Sequence, residues 1–128
     1  VNVDQTERRV YEAALDEFRA SNFKAAIGSF QGFQKQYPDS PLLSQVLYWE
    51  GGARYANGDF KGAITTLRQL QQRHPDSDRI PDGLVILGNA QADSGDRKSA
   101  RDTFRQITEK FPDTSAAGTA RERLAALK

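Results

Sequence analysis

Gly58-Asp59-Phe60-Lys61-Gly62-Ala63-Ile64, closed by Arg73-His74-Pro75-Asp76-Ser77, decides how the rest of this chain is read. Both pieces recur. Ser21-Asn22-Phe23-Lys24-Ala25-Ala26-Ile27 precedes the first, and Gly95-Asp96-Arg97-Lys98-Ser99-Ala100-Arg101 follows it. The closing piece returns as Tyr37-Pro38-Asp39-Ser40 and Phe111-Pro112-Asp113-Thr114. Every landmark steps by 37 residues, so two separate marks keep one period over three copies. A fixed period of a few tens of residues is the signature of a repeat architecture. Stacked repeats build long surfaces rather than enclosed pockets.

Between the landmarks the apolar residues keep helical spacing. Asp4-Gln5-Thr6-Glu7 has capping-box spacing, and Val10, Tyr11, Ala14, Leu15 and Phe18 then form one stripe to about Ala20. Asn22 is placed to cap a second helix, Phe23 to about Gln36, with Phe23, Ala26, Ile27, Phe30 and Phe33 on one side. Pro38 ends it, because the residue before a proline is pushed out of the helical region. Ser40-Pro41 predicts a cap with proline at the first helical position, and a third helix from Pro41 to about Ala56. Asn57-Gly58 stops that helix, and Asp59 caps a fourth to about Arg73. The third copy restarts near Ser77-Asp78 with Pro81 in its first turn, breaks at Ser94-Gly95-Asp96, and its partner helix ends at Pro112. A seventh helix, about Ser115 to Leu127, carries Ala117, Ala120, Leu124 and Leu127, with Arg121, Glu122, Arg123 and Lys128 on its other side. No segment alternates long enough to be a strand.

The bulk numbers remove several function classes. The chain has 128 residues, the size of one domain, and 18 basic against 17 acidic side chains leave a net charge of +1. No basic face of the kind that holds a phosphate backbone is visible, which argues against nucleic acid. No run of about eighteen apolar residues exists, so no membrane-spanning helix is expected. Val1-Asn2-Val3-Asp4 has no charged head followed by an apolar stretch, so it does not read as a signal peptide. With no cysteine and a single histidine, His74, a metal site would need mostly carboxylates, an uncommon donor set for zinc. His74 takes the slot of Tyr37 and Phe111 and is read as an aromatic-sized plug at a helix end. Asp39, Asp76 and Asp113 repeat with the period, whereas catalytic carboxylates come as unequal pairs; they are read as caps and turn residues. Gly58-Asp59 and Gly95-Asp96 lack the Lys-Ser or Lys-Thr of a phosphate loop. No cofactor is expected, and no enzyme.

Helix pairs with Gly51, Gly58, Phe60, Ala63 and Pro75 at these offsets resemble tetratricopeptide repeats. Gly88, Gly95, Ala100 and Pro112 keep the pattern in the third copy. Phe23, Ala26 and Pro38 keep it in the first, with Ala14 and Ser21 replacing the two glycines. Small residues at Ala14, Gly51 and Gly88, and at Ala26, Ala63 and Ala100, would let the helices approach closely; a larger side chain would overpack by about 1–3 kcal/mol. Arg97 departs from the aromatic Phe23 and Phe60 and predicts a looser third copy. The family's usual period is about 34, and the extra length here lies in the linkers. The Tyr-Pro-Asp-Ser-Pro linker, Tyr48-Trp49 before Gly51, and the ending Ala120 to Leu127 are similar to the C-terminal repeat domain of the periplasmic Tol-Pal cell-division coordinators of Gram-negative bacteria. Glu50 departs from that group, which more often has an apolar residue there.

The resemblance implies an all-α right-handed superhelix of three helix hairpins plus a capping helix, in one domain over 1–128. Repeat one is expected at about 5–40, repeat two at 41–77, repeat three at 78–114 and the capping helix at 115–128. It implies a non-catalytic, periplasmic module that binds TolA, and with it peptidoglycan synthase, to coordinate outer-membrane constriction with peptidoglycan synthesis. Without the group's N-terminal coiled coil, a monomer is expected. The alternative is another envelope repeat scaffold, such as an outer-membrane β-barrel assembly lipoprotein, and a remote one is an enzyme with an unrecognised site. First helices line the concave face in this family. That places Tyr11, Leu15 and Phe18, then Tyr48, Gly52 and Tyr55, then Val85, Asn89 and Ala92 in a partner-binding groove. Leu15 and Phe18 could equally pack between copies, and Trp49 could be core. Because Asn89 lacks matched basic neighbours in the second copy, an internal or folded segment is expected as ligand rather than a free C-terminus.

Overall fold

A computed structural model describes residues 3–127; Val1 and Asn2 of the opening stretch, and Lys128 on the last helix's polar side, lie outside the described residues. Seven helices follow one another among the described residues, with no strand: α1 Gln5–Arg19, α2 Phe23–Gln36, α3 Leu43–Ala56, α4 Phe60–Arg73, α5 Ile80–Asp93, α6 Arg97–Lys110 and α7 Ser115–Ala126. Each packs on the next, and α1, α3, α5 and α7 also touch in sequence. α2, α4 and α6 do not reach one another among the described residues. The first helices of the pairs therefore crowd together while the second helices splay, and a stack splayed on one side is concave on the other.

The turns show how the period is enforced. Ser21, Gly58 and Gly95, 37 residues apart, all have positive φ, at 62°, 80° and 96°. Glycine enters this region freely, whereas Ser21 must bear a steric cost there. The linkers are tight turns closed by Ser40 N–H to Tyr37 O at 3.1 Å, Ser77 N–H to His74 O at 3.0 Å and Thr114 N–H to Phe111 O at 3.2 Å. Proline sits second in each turn, where its fixed φ is already correct. Asp39, Asp76 and Asp113 are exposed turn residues.

Local chemistry departs from expectation at three helix starts. α3 begins at Leu43, not Pro41: Ser40 Oγ accepts from Leu42 N–H at 3.0 Å and holds an extra turn before the helix. Ser77 repeats this with Arg79 N–H at 3.1 Å, after which Pro81 sits in the first turn of α5. Asn22 occupies the N-cap position of α2 but makes no side-chain capping bond, unlike Asp59 and Asp96, which accept from Gly62 N–H at 3.0 Å and Ser99 N–H at 3.1 Å. Asp4 caps α1 through Thr6 N–H at 3.2 Å, yet Glu7 does not close the box; it accepts from Ser40 Oγ at 2.5 Å across the first hairpin.

Two core clusters meet on α3. Val46 and Ala53 join Tyr11, Ala14, Leu15, Ala26, Phe30 and Phe33, while Leu47 joins Leu67, Leu70, Leu84, Leu87, Phe104 and Ile107. Each fully buried Leu or Phe contributes about 1.5–3 kcal/mol. The small-residue reading holds at atomic distance. A Cβ at Gly51 would stand 2.6 Å from Leu67 Cδ2, and one at Gly88 would stand 2.6 Å from Phe104 Cζ.

Candidate functional site

The inner face is laid down by rows of residues 37 apart on α1, α3 and α5. Tyr11, Tyr48 and Val85 form one row, Leu15, Gly52 and Asn89 the next, and Phe18, Tyr55 and Ala92 a third. Tyr11 and Leu15 are 7% and 6% exposed and belong to the N-terminal core, so they support the face from beneath. Tyr11 packs edge-on against Phe33 with ring centroids 6.3 Å apart, and burial pushes its phenol above the ordinary value. The packing role for Leu15 is the placement observed. Phe18, Tyr48, Gly52, Tyr55, Val85, Asn89 and Ala92 are half-buried, each with part of its surface open to solvent.

A fourth row, Glu12, Trp49 and Ile86, lies beside the second; the sequence left Trp49 open as a core residue and did not place Glu12 or Ile86 on this face. Trp49 stands edge-on to Phe18 at 5.2 Å and to Tyr48 at 5.1 Å. The Arg79 guanidinium lies over the Tyr48 and Trp49 rings, 4.7 Å and 5.3 Å from their centroids, and its Nε donates to Gln45 Oε1 at 2.6 Å. Cation–ring contacts of this kind hold a charge in place at about 0.5–1 kcal/mol where exposed. Gly52 leaves a gap between Phe18 and Ile86: a Cβ there would sit 3.7 Å and 3.8 Å from their nearest atoms. The middle of the face is thus an apolar pad interrupted by a fixed cation. The same 37-residue shift that predicts Tyr48 from Tyr11 would have found Trp49 and Ile86, but their row begins with the charged Glu12.

The shift also continues into α7. Arg123 follows Ile86 and Ala126 follows Asn89 in their rows, and α7 packs on α5, so α7 extends the inner face. Tyr55, Asn89 and Ala92 line a cavity of about 280 Å³ with Asp93, Arg97, Phe104, Arg123, Ala126 and Leu127. Tyr55 OH donates to Asp93 Oδ2 at 2.5 Å. Burial, and then that carboxylate, push the phenol up to about 12.

A second cleft, about 480 Å³, opens on the outer side where α2 and α4 splay apart, and its floor is Glu50 and Arg54. Glu50 is 5% exposed. Its Oε1 accepts from Gln34 Nε2 at 2.6 Å; its Oε2 accepts from Arg54 Nε at 2.9 Å and Thr66 Oγ1 at 3.1 Å. Arg54 also pairs with Asp59 at 3.0 Å. The residue that departs from the expected apolar type is therefore satisfied by three helices, and the Glu50 carboxylate at the cleft floor is paired with Arg54. Phe23 and Phe60 fill the spaces expected of them, at 5.3 Å from Phe18 and 5.5 Å from Tyr55. His74 ends α4 and lines a small cavity with Pro38, Leu43 and Leu47. Among the described residues no cluster of three or more metal-type side chains occurs, and no helix is long and apolar enough to cross a membrane.

Paired helices, small residues at the crossings and an inner face shared by successive first helices define a tetratricopeptide-type fold, an all-helical superhelix. Residues 3–128 match the YfiO outer membrane lipoprotein family, and the chain belongs to that family. It also resembles the cell division coordinator CpoB of Pseudomonas putida, at 34% identity over 53 residues. That stretch is 41% of this chain and spans only a fifth (20%) of the relative's length. Among solved structures, the Yersinia enterocolitica type III secretion chaperone SycD, in complex with a peptide of the translocator YopD, superposes with a TM-score of 0.84 at 15% identity, covering 98% of this chain and 94% of that one. PcrH of Pseudomonas aeruginosa gives 0.85 at 14% identity, covering 99% and 95%. A tetratricopeptide repeat protein of Parabacteroides merdae gives 0.82 at 15% identity, covering 97% of this chain and 46% of that one. At these identities the superpositions speak for the fold.

Proposed function

We propose that this chain is the polypeptide-binding module of a bacterial envelope protein, and that it works in the periplasm by receiving a partner segment along the inner face. The observation that carries this reading is the half-buried pad of Phe18, Trp49, Gly52 and Ile86, continued by Tyr55, Asn89 and Ala92. Aromatic bodies with polar tips suit an interface that is partly wet, and Asn89 can both donate to and accept from a peptide backbone. The repeats would run at about 5–40, 41–77 and 78–114, with 115–128 completing a single domain. The likeness to the cell-division coordinator supports TolA as the partner, and with it a role in coordinating constriction with peptidoglycan synthesis.

The family match over nearly the whole chain favours a second reading, a scaffold in the assembly of outer-membrane β-barrels. The two readings share the groove and differ in its occupant. Fluorescence anisotropy separates them, titrating the chain against the periplasmic part of TolA and, in parallel, against an unfolded β-barrel precursor. Tyr48→Ala with Tyr55→Ala weakens the true partner at least tenfold, with circular dichroism confirming the fold. Equal affinity of wild type and the double variant for every polypeptide that binds would refute the groove.

A further inference from the structure

The cavity at the C-terminal end of the inner face exists because one repeat lacks what the other two contain. In the first copy the end of the first helix meets the start of the second through Phe18 and Phe23, rings 5.3 Å apart; in the second, Tyr55 and Phe60 do the same at 5.5 Å. The corresponding pair in the third copy is Ala92 and Arg97. A ring is missing on one side and a guanidinium replaces the other, which leaves the space of about 280 Å³ open.

The charges around that space are unbalanced. Arg97 enters from the first position of α6 and Arg123 from α7, against the one lining carboxylate among the described residues, Asp93. Asp93 already accepts from Tyr55 OH, and among the described residues neither arginine is in an ion pair. Arg97 also sits at the wrong end of its helix, since a cation at the N-terminus opposes the helix dipole. Its position there is not explained by helix stability.

We infer that this cavity receives the side-chain carboxylate of an Asp or Glu in the bound polypeptide, held by Arg97 and Arg123 with Asn89 beside them. The inference rests on the groove reading and deepens it. Guanidinium forks bind carboxylates through paired hydrogen bonds, which gives orientation as well as attraction. The cavity opens between Asn89 and Ala92 of the inner face and α7, and Phe104 of α6 lies at its back. A side chain can branch into such a recess while its main chain continues along the face. A terminal carboxylate would have to pull the main chain in after it, toward Asp93. The stem of Glu would take part of the volume that the aromatic pair fills in the other copies. The basic neighbours missing from the second copy are thus supplied by α6 and α7.

Display selection tests this. A library of random dodecapeptides, fixed at both ends by linkers, is panned against the wild-type chain and against Arg97→Gln with Arg123→Gln. Both arginines are exposed, and thermal melts confirm that the double variant is folded. The expected result is one register position enriched in Asp or Glu by about fivefold or more on the wild type, the ratio that roughly 1 kcal/mol gives. That enrichment disappears on the double variant, while the apolar positions of the motif persist. Apolar enrichment with no acidic position, or acidic enrichment that survives in the double variant, overturns this inference and leaves the groove standing. Enrichment only in a parallel library with free C-termini overturns it in favour of a terminal carboxylate. A selection that returns no motif on either protein overturns the groove and this inference together.

Discussion

Gly88→Ala should destabilise the chain, although alanine is the better helix former. The added Cβ would lie 2.6, 2.7 and 3.0 Å from three ring atoms of Phe104, which is itself 1% exposed. A rigid ring cannot yield as a flexible chain end does, so the upper part of the usual overpacking range, about 2–3 kcal/mol, applies. Against it stands the gain of about 1 kcal/mol from replacing a mid-helix glycine. The net loss is about 1–2 kcal/mol. Gly28→Ala and Gly32→Ala supply the control, because each lies on the exposed side of α2 with nothing within 4 Å of its added Cβ. They should keep the propensity gain alone, about 0.5–1 kcal/mol. Urea unfolding followed by circular dichroism reads all three, and a thermal scan should separate the two classes by roughly 4 °C per kcal/mol. If Gly88→Ala were as stable as Gly28→Ala, the close crossing of α5 and α6 would be wrong.

Three further outcomes follow from particular contacts. Glu50→Ala should cost about 1–3 kcal/mol, because it leaves the buried Thr66 hydroxyl without its acceptor and takes one partner each from Gln34 and Arg54, which keep Phe30 O and Asp59; Glu50→Leu with Arg54→Gln, which copies Leu87 and Gln91 beside Thr103, should recover most of that loss in urea unfolding. Tyr55 should ionise late in an ultraviolet titration, near 12, and Asp93→Asn should bring it down. Since the phenol's native value lies above its unfolded one, Tyr55 supports stability fully below about pH 10 and loses that support as pH rises through 12. Ser21→Gly should stabilise by about 0.5–1 kcal/mol and Gly58→Ala should destabilise by about 1 kcal/mol, read in the same unfolding assay, because both positions hold positive φ.

Most of the fold was legible because its causes are local and repeated. The period fixes Ser21, Gly58 and Gly95 at equivalent turns, and prolines 38, 75 and 112 at equivalent linkers, so each copy checks the others. The helix starts were less legible. Ser40 has the same residue type whether it caps a helix or a preceding turn, and only Leu42 N–H distinguishes them. Glu7 looks like half of a capping box until Ser40 arrives from the far end of the hairpin. The inner face was visible where a row opens on an aromatic, as with Tyr11, and hidden where it opens on a charge, as with Glu12. Burial could not be read for Tyr11 and Leu15, because spacing gives the side of a helix but not the depth to which the neighbouring helix covers it. Arg97 and Arg123 are 26 residues apart, and only the packing of α7 on α5 and α6 brings them to one cavity.

Amide chemical-shift mapping of the ¹⁵N-labelled chain tests the central claim most directly, using whichever of the TolA periplasmic part and the β-barrel precursor binds. The account predicts that Gly52, Asn89 and Ala92, on the inner face, shift or broaden, while Gly28, Gly32 and Gly118, with open space around them, stay where they are. Shifts concentrated on Gly28, Gly32 and the splayed second helices, with Gly52 and Asn89 unmoved, would contradict it.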